Sequence, residues 1–364
     1  MLITSELLSS IIESTVLKMR YPDEYNFESS GLDEAELDEF MEDMKQLFES
    51  VCLIRPIVAL ECVNNRVQQL SASMSPYDAE CTVRLLYQLG ECLPTEMGTV
   101  SFKADPPSPL QNLFGSFVTK PVPTHHAVVR LSLETIVRYD KYFMFEKNQL
   151  GPVLHFMIGQ GGIMHPHASV RSRAAYLFSR FVREMTPTLG DFAMSLLQTL
   201  ESCAMEGGAE FLSESERGFV FEAIGYLVNV APISGLLFYP RTNITLILGE
   251  EKAQLYAQMI RPLVESFTRD CKTLLSKKDP EEQEAACLII SHYVGWCGRT
   301  TKCWRGPEQV TNAQTGPILA ECVRVFLGAL ELPPQVNGRS IILQSIRTFL
   351  HRMLICLSTD ILGK

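Results

Sequence analysis

Among its eleven cysteines the 364-residue sequence has no C-x-x-C pair, and it contains no glycine-rich phosphate loop, no nucleophile elbow and no His-Glu-x-x-His. Those absences remove the usual starting points for redox, phosphoryl-transfer, hydrolase and metallopeptidase chemistry, so neither catalysis nor a cofactor is expected. Alternating period-two runs flanked by turn residues are nearly absent, which argues against a sandwich or barrel. An excess of base is missing too, since 32 Lys and Arg face 42 Asp and Glu for a formal net charge of −10. Eleven of the acids lie between Pro22 and Glu49 against the single base Lys45, and the remainder of the chain is neutral. Bulk charge therefore gives no ground for nucleic-acid binding, and only a local basic face supplies one. One apolar stretch without a charge, the eighteen residues Ala223 to Pro240, carries Asn229, Pro232 and Ser234 in its middle. A membrane span needs about 20 predominantly apolar residues, so a buried helix followed by a loop is the better reading. The start, Met1-Leu-Ile-Thr-Ser-Glu-Leu-Leu, has no basic n-region or cleavage motif and reads as a helix already under way.

What is present is apolar residues at helical spacing along almost the whole length, which predicts an all-α protein. Candidate helices cover 2–20, 32–50, 54–72, 76–93, 108–118, 125–143, 150–159, 168–185, 190–205, 213–230, 251–275, 280–297, 317–331 and 339–358. Ser75-Pro76 and Asp279-Pro280 each place a capping side chain before a proline at the first helical position, with acids in the turn that follows. So many helices joined by short polar connections suit a stack of helical hairpins better than one bundle. With no tetratricopeptide or ankyrin signature, the expected architecture is an α-solenoid of HEAT-like repeats running as one array over 1–364, with an atypical inserted segment at 230–250. The prolines of 105–109 and 120–123 bracket a short helix and predict a surface excursion. Cysteines such as Cys62, Cys92, Cys287 and Cys356 sit among apolar neighbours and read as reduced, buried small hydrophobes, which points to the cytosol or nucleus.

Few residues carry chemistry. His165-Pro-His167 and the series His292, Cys297 and Cys303 lack a second pair at zinc spacing, so no metal is expected there. On 32–48 the residues Leu37, Phe40, Met41, Met44, Leu47 and Phe48 form an apolar stripe and the acids make a solvated face, open to a basic partner as the second reading. The helix 170–183 has a different character, with Val170, Ala174, Leu177, Phe178, Phe181 and Val182 on one side and base on the other. Arg173, Arg180 and Arg183 fall within about 80° at roughly 100° per residue, beside Tyr176, while Arg171 emerges on the opposite flank. Guanidinium forks at such intervals match phosphate oxygens, and they equally match acids on a neighbouring repeat. Arg299, Lys302 and Arg305 form a second cluster near Trp296, where base at a helix end also suits the helix dipole. Arg347 and Arg352 with His351 form a third. Arg130, Glu134 and Arg138, at successive i, i+4 positions, are expected to satisfy one another.

Several segments resemble one family in order along the chain. They are Tyr21-Pro-Asp-Glu-Tyr-Asn-Phe-Glu28, Val83-Arg-Leu-Leu-Tyr87 with Glu91-Cys-Leu-Pro94, Thr135-Ile-Val-Arg-Tyr-Asp-Lys-Tyr-Phe143, the helix Val170–Val182, Arg299-Thr-Thr-Lys302 and Arg347-Thr-Phe-Leu-His-Arg-Met-Leu-Ile-Cys-Leu357. Together they resemble the exportin-T family of transfer-RNA export receptors, in the importin-β (karyopherin) superfamily, over nearly the whole chain and in the middle of a longer receptor. The resemblance implies a HEAT-repeat superhelix that wraps mature tRNA on its concave face, reads shape and backbone, binds with GTP-loaded Ran and passes nuclear pore proteins as it shuttles between nucleus and cytoplasm. It implies no catalysis, cofactor, metal or membrane. The region where relatives grip Ran is expected to be missing here, so no Ran contact is assigned, and the segment 230–250 has no counterpart in the resemblance. Arg171, Arg173, Tyr176, Arg180, Arg183, Arg299, Lys302, Arg305, Arg347 and Arg352 are the expected RNA-binding residues. The competing reading is a HEAT-repeat scaffold that binds proteins and no RNA.

Overall fold

In the computed structural model the described residues are 5–28, 31–204, 211–231 and 244–357. Among them the secondary structure is helical throughout, with sixteen α-helices, five short 3-10 segments and no strand. The fold is all-α, of the HEAT-like helical-repeat class. Most of the expected segment at 230–250 lies outside the described residues.

The chain forms two compact units, residues 1–177 and 178–364. In the first lie α1 (Ser5–Lys18), α2 (Leu32–Ile54), α3 (Pro56–Gln69), α4 (Pro76–Cys92), α5 (Pro109–Val118), α6 (His126–Arg138), the single turn α7 (Tyr142–Phe145), α8 (Leu150–Ile158) and the first half of α9 (Ala168–Met185). Sequential neighbours pack as hairpins, α1 on α2 and α3 on α4, while α4 also packs on α6 beyond the intervening α5. The aromatic centre of this unit is Tyr139, stacked on Phe114 at 4.5 Å with its hydroxyl donating to the Leu86 carbonyl at 2.7 Å. Burial pushes that phenol far above its ordinary value, so it stays a donor. Tyr139 also ends α6 and α7 follows, which is why one candidate helix over 125–143 becomes two.

The second unit holds the rest of α9, α10 (Gly190–Ala204), α11 (Glu214–Val230), α12 (Ile244–Leu274), α13 (Pro280–Thr300), α14 (Pro307–Asn312), α15 (Gly316–Leu327) and α16 (Arg339–Cys356). Helix α13 is its spine and packs against α11, α12 and α16. At the α11–α13 crossing a methyl on Gly225 would stand 2.0 Å from the Thr300 carbonyl oxygen, so this position takes only glycine. Helix α12 starts seven residues before its sequence-predicted start and continues through Pro262, against the rule that proline ends a helix.

Local signals were mostly obeyed. The Asp279 carboxylate accepts from the Glu281 N–H at 3.2 Å, as expected of a cap. Ser75 occupies the same position before Pro76 but makes no side-chain cap bond. There the nearby acid Asp78 is committed elsewhere, to the Arg20 guanidinium at 2.6 Å, and proline at N1 starts the helix without help. Two capping boxes, Ser108 with Gln111 and Ser213 with Glu216, start α5 and α11. The stripe on α2 is narrower than predicted, because Met41 and Phe48 are buried while Phe40 and Leu47 are exposed. All eleven cysteines are free thiols, eight of them buried and Cys62, Cys92 and Cys271 half-buried.

Candidate nucleic-acid interface

The predicted basic residues divide by what already holds them. Arg171, at the start of α9, donates to the carbonyls of His165 at 3.0 Å and Pro166 at 2.7 Å and so fixes the turn before its own helix. Arg173 reaches Glu134 on α6 at 3.0 Å, with its guanidinium 5.3 Å from the Tyr176 ring. That contact corrects the expected triad of Arg130, Glu134 and Arg138. Glu134 turns to α9 instead, while Arg138 pairs with Glu91 and lies 4.1 Å over the Tyr87 ring. A better-aligned partner on the adjacent helix outcompetes an i, i+4 pair worth only about 0.2–0.5 kcal/mol.

In the second unit Arg183 of α9 and the cations at the end of α13 lie about one face of α11. The acid at the centre is Glu222, whose side chain is 10% exposed. Its Oε2 accepts from Lys302 Nζ at 2.7 Å and from the Arg299 guanidinium at 3.3 Å. Arg299 lies flat along α11, its guanidinium 4.6 Å above the Phe219 ring and its chain in the space that Gly218 leaves open. One turn on, Tyr226 donates to the Lys302 carbonyl at 3.4 Å. Burial raises the Tyr226 phenol, Glu222 adds to the rise, and the positive charges of Arg183 and Arg305 oppose it, which places both arginines within electrostatic reach of this face. Arg183 itself is raised first by its bond to Glu184, at 2.9 Å, and also by Tyr226 and Glu222.

Two cations thus bind one buried carboxylate, and two more, Arg183 and Arg305, act on Tyr226 of the same helix. Arg183, Lys302 and Arg305 are exposed and Arg299 is half-buried, so their donor groups remain open to a second anion. Arg180 and Arg347 are exposed, and neither side chain makes an ion pair or hydrogen bond among the described residues. Arg352 is different. Its guanidinium donates to the Thr301 hydroxyl, the Thr301 carbonyl and the Trp304 carbonyl, so it closes the last turn after α13. Arg305 receives order from its backbone N–H, which donates to Gln309 at 2.6 Å.

Sequence spacing marked the cations but missed Glu222, which sits in a mostly apolar helix with no partner nearby in sequence. The missed signal is an acid at one-turn spacing from Gly218 and Gly225, the two positions where α11 lets another chain come close. His292 and Cys297 do not form a ligand set. His292 faces Glu214 at 3.0 Å, and Cys297 is wholly buried, which pushes its thiol well up.

Fold and surface define a class: a HEAT-like helical-repeat protein carrying a polycationic cluster built round one acid. The family model for exportin-T matches residues 3–364, and the chain belongs to that family. It is 32% identical to exportin-T of Danio rerio over 369 residues, 98% of this chain and 36% of the relative. With exportin-T of Homo sapiens the identity is 31% over 369 residues, with the same shares, and with that of Oryza sativa subsp. japonica 25% over 379 residues, again 98% and 36%. The chain therefore spans about a third of the length of these relatives. No helix among the described residues is long and apolar enough to cross a membrane.

Proposed function

We propose that this chain is part of a receptor that binds mature tRNA by shape and phosphate backbone, together with GTP-bound Ran, and carries it past nuclear pore proteins from nucleus to cytoplasm. Membership of the exportin-T family supports that reading. The structural observation that carries it is the pairing of Arg299 and Lys302 with Glu222, with Arg183 and Arg305 in electrostatic reach of Tyr226 on the same helix. Guanidinium and ammonium donors spread over a helical face suit phosphate oxygens, which position a folded RNA without reading its bases. Arg180 and Arg347 add free cations, and Arg173 with Tyr176 a further pair on α9. Arg171 and Arg352 hold the turns on which these groups stand. The role is one of binding and release, without catalysis.

The test is tRNA affinity as a function of salt for the parent and for Arg180→Ala, Arg183→Ala and Arg305→Ala combined. Each lost phosphate contact lowers the steepness of log K against log salt by about one, so the triple variant should lose two to three units and bind unrelated tRNAs alike. An unchanged slope would sink the assignment and favour a scaffold that binds no RNA.

A further inference from the structure

Three segments of the first unit bring a metal-type ligand set together. After α1 the strap 21–28 ends at Glu28, α6 opens with His126, and the turn before α9 carries His167. Glu28 Oε1 stands 2.5 Å from His167 Nε2 and 3.7 Å from His126 Nε2, and one ligand atom from each residue lies within 4.8 Å of the other two. The two imidazoles stack, with centroids 4.5 Å apart and planes at 25°. Both rings aim the same nitrogen at one carboxylate.

We propose that Glu28, His126 and His167 form a binding site for a divalent transition metal of the zinc type. Two neutral imidazoles and one carboxylate leave a fourth tetrahedral position for water or for a ligand from a partner. In a tetrahedron with bonds of about 2.0–2.1 Å, ligand atoms sit about 3.3 Å apart, so the separations need to change by at most about 1.5 Å. An outer shell is also in place. Ser169 Oγ lies 2.8 Å from His167 Nδ1, so the Nδ1–H can donate to it and leave Nε2 as the ligand nitrogen. Phe27 holds the strap against this cluster, edge-on to His125 and His126 at 5.5 and 6.5 Å. His165 accepts the His167 N–H on its own Nδ1 at 3.0 Å, which fixes the turn.

The spacing rules of sequence analysis excluded His165 and His167 because a lone pair lacks a second pair nearby. Here the other ligands come from 41 and 139 residues away, at His126 and Glu28. Such a site pins the strap to α6 and to the turn before α9, and metal bound to the folded state alone stabilises it by mass action.

The experiment is titration of this chain, stripped of metal by chelator, with zinc ion by calorimetry and with cobalt(II) by visible absorption. One equivalent is expected to bind, with cobalt bands free of thiolate-to-metal charge transfer, since no cysteine belongs to the set. Glu28→Gln and His167→Ala should each remove that equivalent, and Ser169→Ala should weaken it about tenfold. Circular dichroism on each variant separates loss of a ligand from loss of fold, and His126→Gln serves if His167→Ala unfolds. No stoichiometric binding by the parent, thiolate bands, or binding that survives both ligand variants would overturn the proposal.

Discussion

The guanidinium of Arg352 donates to the backbone carbonyl of Thr301 at 2.6 Å and to its side-chain hydroxyl at 3.1 Å, tying α16 to the end of α13. Thr301 is fully buried, so these are hydrogen bonds that water cannot replace. Arg352→Ala should therefore cost about 2–4 kcal/mol, since it leaves buried carbonyls unpaired. Urea unfolding checks it. Arg347→Ala, one turn away and exposed, should change stability by less than about 0.5 kcal/mol.

Removing the central acid should act in opposite directions on stability and binding. Glu222→Gln frees Arg299 and Lys302 for phosphate but leaves them without their buried partner. A loss of about 1–3 kcal/mol is expected, below the full cost of breaking a buried pair because both cations are a third or more exposed. tRNA affinity at fixed salt should rise. Weaker tRNA binding by a folded variant would show that Glu222 orders the cluster more than it screens it.

Gly225→Ala should destabilise the second unit by about 1–3 kcal/mol or more, because the methyl meets a backbone carbonyl at 2.0 Å and not a side chain that can turn away. Gly306, beside which an added carbon meets nothing within 4 Å, is the control. Thermal melts of Gly225→Ala and Gly306→Ala compare the two directly.

Burial pushes the thiol of Cys81 up to about 11, and those of Cys271 and Cys322 to about 12, from an ordinary value of 9.0. A folded-state value above the unfolded one contributes stability that is complete below pH 9 and lost as pH rises through the folded values. Chemical denaturation midpoints should hold steady up to about pH 9 and fall from there to about 12. Alkylation of the native protein at pH 8 should be slow at Cys81, a buried thiol, and fast only after unfolding.

Helical periodicity located nearly every long helix, because burial of one face repeats every turn whatever the partner. The short α14, six residues with Val310 as its buried residue, has too few turns to show a period. Caps were less legible. Asp279 and Ser75 present the same local signal, yet a tertiary ion pair at Arg20 and Asp78 accompanies the one whose cap bond is absent. On α2 the residues Phe40 and Leu47 fit the apolar spacing and remain exposed, since spacing says which face is apolar but not how wide its neighbour is. The cations of the candidate interface could be read from the chain, whereas Glu222 could not. Which cation is paired and which is free depends in part on contacts 39 to 80 residues apart, as with Arg173 and Glu134 or Lys302 and Glu222.

Gly225 also fixes more than local packing. Where it meets Thr300, α11 and α13 touch backbone to backbone, with no side chain between them to repack as the helices slide. Glu222 lies one turn before that contact, and Arg299 and Lys302 flank Thr300 on the other chain. The contact acts as a caliper on the charges, holding carboxylate and cations at a constant gauge. The spacing of Glu222 from Arg299 and Lys302 is thereby set by backbone and not by rotamers.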